Sequence, residues 1–130
     1  MNILDTIVNR TKERIEEEKK EVPLSEIRAR AEVTGAVENA EGVPAFEQAL
    51  RAEGLSFICE VKKASPSKGL IAKEFPYLEI AKDYEKAGAA AISCLTEPYW
   101  FQGSNLYLEE IAGRVSIPVL RKDFTCDEYM

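Results

Sequence analysis

The stretch Phe57-Ile-Cys-Glu-Val-Lys-Lys-Ala-Ser-Pro-Ser-Lys-Gly69 carries Glu60 and Lys62 two positions apart. Two is the repeat of a β-strand, so both side chains share one face. A strand that ends in an acid and a base, and then runs into Ser65, Pro66 and Gly69, places ionisable groups at the mouth of a sheet or barrel. That is where α/β proteins carry their chemistry. Two further strand ends are polar in the same way, Thr96 with Glu97 and Arg121 with Lys122 and Asp123. In a βα barrel they all converge on one end. Lysines there are partly desolvated, which suits them to donate a proton, and they hold phosphate or carboxylate. For Glu60 and Lys62 a plain structural ion pair is the competing account, and the residues alone leave both open.

The rest of the composition narrows the chemistry. The chain has no histidine, which removes Ser–His and Cys–His nucleophiles and leaves proton transfer to Lys, Glu, Asp or Tyr. A net charge of −6 over 130 residues argues against nucleic-acid and anionic-membrane binding, both of which need a basic face. No apolar run approaches the roughly 18 residues of a membrane span. The opening Met1-Asn-Ile-Leu-Asp-Thr6 lacks the basic-then-apolar layout of a signal peptide, so the expected location is the cytoplasm. Cys59, Cys94 and Cys126 lack metal-site spacing and read as buried, reduced thiols, with no metal implied.

The elements that must position these groups follow from periodicity. Residues 2–20 read as a helix with Ile3, Leu4, Ile7, Val8 and Ile15 on its apolar face. Leu24 to Ala31 reads as a second, capped by Ser25, with loop over 33–44 and a helical turn or two over Phe46 to Arg51. Strands are expected over Ser56–Lys62, Ala89–Thr96 and Ile117–Arg121. Between them come a long loop over 63–75, a helix over Pro76–Ala87 and a loop over 97–103 that holds Trp100 and Phe101. A helix capped by Ser104 follows, with Leu106, Leu108 and Ile111 as its contacts. Thr125 or Asp127 is expected to start one more helix. Strand–helix–strand–helix–strand implies a parallel sheet. Three strands are too few to close a barrel of eight strands and about 250 residues, so the sequence reads as the front of a larger protein. Residues 1–54 form a helical extension and residues 55–130 the first three βα units.

Glu60-Val-Lys-Lys-Ala-Ser-Pro-Ser-Lys-Gly69 resembles the signature of the indole-3-glycerol-phosphate synthase family. Ala91-Ile-Ser-Cys-Leu-Thr-Glu97 with Phe101-Gln-Gly-Ser104, and Ile117-Pro-Val-Leu-Arg-Lys-Asp-Phe124, resemble its next two strands and their loops. Ile3-Leu-Asp-Thr-Ile-Val8 and Glu21-Val-Pro-Leu24 resemble its extra N-terminal helices. The resemblance implies the N-terminal part of a (βα)8 TIM barrel. The implied enzyme is a lyase of tryptophan biosynthesis that closes, decarboxylates and dehydrates 1-(2-carboxyphenylamino)-1-deoxyribulose 5-phosphate to indole-3-glycerol phosphate. No cofactor is implied.

By resemblance Lys122 matches the general acid, Lys62 the lysine that holds substrate anions, and Glu60 the acid that supports it. Ser65 matches a residue near the substrate carboxylate, and Phe101 and Phe124 match the aromatic pocket. The family's later strands bring another catalytic glutamate, an asparagine and the phosphate-binding loops, none of which is in this sequence. The 130 residues alone are therefore expected to be inactive, since such sites act as units. Two other readings stand beside this one. A non-catalytic half-barrel would self-associate through its exposed third strand, and one half of a split enzyme would bind a complementary chain.

Overall fold

The computed structural model describes residues 1–35 and 41–130, so residues 36–40 of the expected 33–44 loop lie outside the described residues. By internal contacts the described chain forms two compact units, residues 1–35 with 124–130 and residues 41–123.

In the first unit, α1 (Ile3–Glu21) opens on a capping box that periodicity does not reveal: the Asn2 side chain accepts from the Asp5 N–H at 2.9 Å, and Asp5 accepts back from the Asn2 N–H. Its buried stripe is Ile7, Thr11, Arg14 and Ile15, whereas Ile3 and Leu4 stay more than half exposed. Burying Ile7 and Ile15 contributes roughly 1.5–3 kcal/mol each. Helix α2 (Leu24–Thr34) runs three residues past the expected Ala31. Pro23, not Ser25, is its N-cap residue, and its carbonyl accepts from Glu26 and Ile27. Proline's fixed φ suits that position, which leaves Ser25 one residue inside the helix. Residues 127–130 form a turn in which the Met130 N–H donates to the Asp127 carbonyl at 3.2 Å, as expected where a helix starts. Asp127 does accept from the Tyr129 N–H as a helix cap would, but its carboxylate is also drawn to Lys19 at 2.8 Å. The Tyr129 hydroxyl donates to the Val22 carbonyl, and Arg28 pairs with Glu128. Cys126 is exposed, contrary to the expectation for all three cysteines.

The second unit begins with α3 (Ala45–Arg51) and builds a parallel sheet in the order β1 (Ile58–Val61), β4 (Ala91–Leu95), β5 (Val119–Lys122). Helix α4 (Tyr77–Lys86) connects β1 to β4, and α5 (Asn105–Ala112) connects β4 to β5. Strand β1 is shorter than expected at both ends, and β5 is shifted so that Lys122 lies inside it. Within the expected 63–75 loop, β2 (Ala64–Ser65) and β3 (Gly69–Leu70) pair antiparallel as a small hairpin. All five residues of β4 are buried, the two-sided burial that parallel central strands require.

One sheet face carries Val61, Ile92 and Cys94 and packs on Ala81 of α4 and Ile111 of α5. Burial pushes the Cys94 thiol up to about 11; Cys59 is half-buried. Ser104 caps α5 as expected, accepting from the Leu106 N–H, but Leu106 itself points out and is 53% exposed. Gly88 follows α4 at φ +97°, a conformation that stops the helix cheaply only for glycine.

Near the C-terminus of α4, Glu85 accepts from the Ser116 hydroxyl at 2.7 Å and from the Ser116 and Ile117 N–H groups. These donors, the Ser116 hydroxyl foremost, hold its carboxyl below the ordinary 4.5. A lowered folded pKa means that this stabilisation is present above the unfolded value and lost as pH falls through the folded one. Glu85→Gln is therefore expected to lower Tm at neutral pH, with the gap closing as the pH drops below 4.5. A series of melting curves against pH checks this, and a gap that persists at acid pH would refute the ionic account.

Candidate active site

Glu60 is the centre of the polar strand ends. Its partner across the parallel register is Ser93, and the Ser93 hydroxyl donates to Glu60 Oε2 at 3.1 Å. Lys62 Nζ lies 3.6 Å from Glu60 Oε1, so one carboxylate joins a hydroxyl on β4 to the ammonium that follows β1. Both members of that ion pair are more than a third exposed, which limits the pair to about 1 kcal/mol or less. From α4 the Tyr84 hydroxyl donates to the Glu60 carbonyl, and burial pushes that phenol above its ordinary value.

Register then places Lys122. Ser93 pairs with Leu120, Cys94 with Arg121, and Leu95 with Lys122. Strand alternation puts Lys122 on the face of Glu60, Lys62 and Ser93. Arg121 falls on the opposite face with Val61 and Cys94, toward the helices. The sequence expectation that the whole Arg121-Lys122-Asp123 run serves one mouth is thus corrected: Lys122 faces the polar cluster, while the Asp123 side chain is fully buried. Of the two lysines Lys62 is partly buried as expected, with 37% of its side chain accessible, whereas Lys122 is exposed.

Thr96 fixes the backbone at that point. Its N–H donates to the Lys122 carbonyl at 3.0 Å, and its hydroxyl donates to Asp123 Oδ2 at 2.7 Å. One residue after β4 therefore holds the chain on both sides of the Lys122–Asp123 peptide.

Glu97 is not a free acid at the mouth. It is fully buried, and its carboxylate accepts from the Tyr99, Trp100 and Phe101 N–H groups at 2.8, 2.8 and 2.9 Å. Its carbonyl accepts from the Gly103 N–H at 2.8 Å, which closes the loop. Trp100 and Phe101 lie in this loop, both half-buried.

Ser65 sits in the hairpin, buried, and its hydroxyl accepts from the Lys68 N–H at 3.3 Å, so it braces the turn of Pro66, Ser67 and Lys68. Phe124 is half-buried and belongs to the first unit. Sequence reasoning missed Ser93, Thr96 and Gly103 as positioning groups. Two of them left a signal, Thr96 as part of a polar strand end and Ser93 as a hydroxyl at an inward position of an apolar strand. Among the described residues no three His, Cys, Asp or Glu side chains are grouped to hold a metal ion, and no helix is long and apolar enough to cross a membrane.

A parallel sheet with connecting helices, and a carboxylate with two lysines at the C-terminal strand ends on the sheet face turned away from those helices, defines part of an α/β barrel. The family model described as Indole-3-glycerol phosphate synthase matches residues 4–130, and the chain belongs to that family. An indole-3-glycerol phosphate synthase of Ruminiclostridium cellulolyticum is 56% identical over 127 residues, which cover 98% of this chain and 47% of the relative. One from Endomicrobium trichonymphae is 52% identical over 127 residues, 98% of this chain and 48% of the relative. A third, from Lachnoclostridium phytofermentans, is 45% identical over 135 residues, 98% and 49%. The chain spans about half the length of the curated relatives it matches.

Proposed function

We propose that this chain supplies the first three βα units of a cytoplasmic indole-3-glycerol-phosphate synthase, residues 55–130, behind a helical extension over residues 1–54. The observation that carries the reading is Glu60, held between Ser93 and Lys62 on the sheet face that also bears Lys122. In this reading a carbon of the anthranilate ring attacks the substrate carbonyl carbon with a ring electron pair. Lys122 gives its proton to the carbonyl oxygen as the new carbon–carbon bond forms. CO2 then leaves, its bonding pair returning to the ring. The protonated hydroxyl departs as water while the neighbouring ring carbon bonded to nitrogen loses a proton, whose bonding pair becomes the indole double bond. Lys62 holds a substrate anion, and Glu60 orients Lys62 and offsets charge that develops beside it. Ser65 lies toward the substrate carboxylate, while Phe101 and Phe124 wall the aromatic ring. The reaction draws on no cofactor in this reading.

The 130-residue chain alone lacks the remaining acid–base groups and the phosphate loops, so it has little or no turnover. The test is a hybrid that joins residues 1–130 to the rest of the Ruminiclostridium cellulolyticum relative, assayed by indole fluorescence on adding substrate. Turnover by the hybrid and none by the chain alone is the expected pair of results. A folded, monodisperse hybrid without turnover overturns the reading. One observation favours self-association as a second property of the chain alone. Among the described residues strands β1 and β5 each pair on one side only, and Phe57, Ile58 and Leu120 are 62%, 46% and 40% exposed nearby. A sedimentation mass of one chain at high concentration would rule that out.

A further inference from the structure

We infer that Glu97 is a positioning residue that fixes the aromatic wall of the substrate slot by holding the backbone of Phe101; the inference rests on the proposed function. A fully buried carboxylate is costly unless its oxygens are well satisfied. Here every hydrogen bond it accepts comes from the backbone of one loop, from Tyr99, Trp100 and Phe101 in succession. Three converging N–H groups suit an acceptor that has no proton to donate. A glutamine would turn its amide hydrogens toward one of those donors. Gln102 at φ +49° and the Gly103 N–H bond to the Glu97 carbonyl complete the turn, so the position of Phe101 follows from that of Glu97.

The residue before Glu97 gives the arrangement a second function. Thr96 anchors the Lys122 carbonyl and the Asp123 carboxylate. Consecutive residues at the end of β4 thus hold the aromatic loop and the strand of the proposed proton donor. A shift of Glu97 moves the ring wall relative to Lys122 without touching either side chain.

Trp100 is the chain's single tryptophan and its N–H is one of the three held donors, so its fluorescence reports the loop directly. Acrylamide quenching of Trp100 is compared in the wild-type chain, Glu97→Ala and Glu97→Gln, with far-UV circular dichroism to verify folding. Quenching in Glu97→Ala is expected to rise toward that of the urea-unfolded chain while the dichroism stays native. Glu97→Gln, which keeps one acceptor oxygen, should fall between, and it carries the test if the alanine variant does not fold. Wild-type quenching in a folded variant overturns the positioning role whatever the protein's function. In the hybrid barrel the same variants are expected to raise KM about tenfold, the loss of one well-placed aromatic contact, with kcat within about a factor of two. Altered quenching with KM unchanged would reduce Glu97 to a loop brace and overturn the functional half. A folded wild-type hybrid without turnover would instead remove the synthase reading and the slot with it, while the quenching result still decides what holds the loop.

Discussion

Lys122→Ala in the hybrid barrel is expected to lower kcat by about 10²–10⁴, the range that one general acid contributes. Thermal unfolding measured alongside separates a loss of catalysis from a loss of folded protein. Lys122→Arg separates two roles that alanine confounds. Arginine keeps the charge but does not give up its proton in proteins. If Lys122 donates a proton, arginine leaves kcat as low as alanine does. If it only holds an anion, arginine restores most of the rate. Lys62→Arg provides the contrast, since a lysine that binds an anion tolerates arginine with a change mainly in KM. Turnover in Lys122→Ala within tenfold of wild type would sink the assignment of Lys122 as the acid.

Much of this arrangement is legible in the sequence because it depends on short periods. The spacing of Glu60 and Lys62 fixes their common face, Gly88 marks the end of α4, and Ser104 marks the start of α5. The same alternation, extended across the register, places Lys122 with them. What escapes is whatever depends on contact between distant segments. Asp127 has the sequence of a helix cap, yet its carboxylate is shared with Lys19, 108 residues away. The β2–β3 hairpin pairs two residues on each side through Ser65 and Gly69, with no apolar alternation to announce it. Glu97 looks like one more acid at a strand end, and nothing local says that the next loop folds its N–H groups back onto it. The sequence could therefore indicate which residues meet at the sheet mouth, but not which of them hold the others in place.

Gly103 is the sharpest case, and Gly103→Ala is expected to destabilise the chain by about 3 kcal/mol. A Cβ at this position would lie 2.3 Å from the Leu95 carbonyl oxygen, 2.6 Å from its carbon and 2.8 Å from the Thr96 nitrogen. All three atoms are backbone at the end of β4, and no rotamer moves them aside. Leu95 is buried within a fully buried strand, so the loop must give way instead. Its retreat stretches the 2.8 Å bond from the Gly103 N–H to the Glu97 carbonyl and pulls on the turn that the Glu97 carboxylate holds. Overpacking of this kind costs about 1–3 kcal/mol, and a weakened buried hydrogen bond adds about 1 kcal/mol. For a chain of 130 residues that lowers Tm by about 10 °C. Gly113→Ala is the matched control, because a Cβ there meets nothing closer than 3.4 Å and φ is −77°. It should leave Tm unchanged or raise it slightly by reducing the freedom of the unfolded chain. Calorimetry on both variants decides the matter: if Gly103→Ala melts within about 2 °C of wild type, the loop has slack and the close approach to β4 does not constrain residue 103.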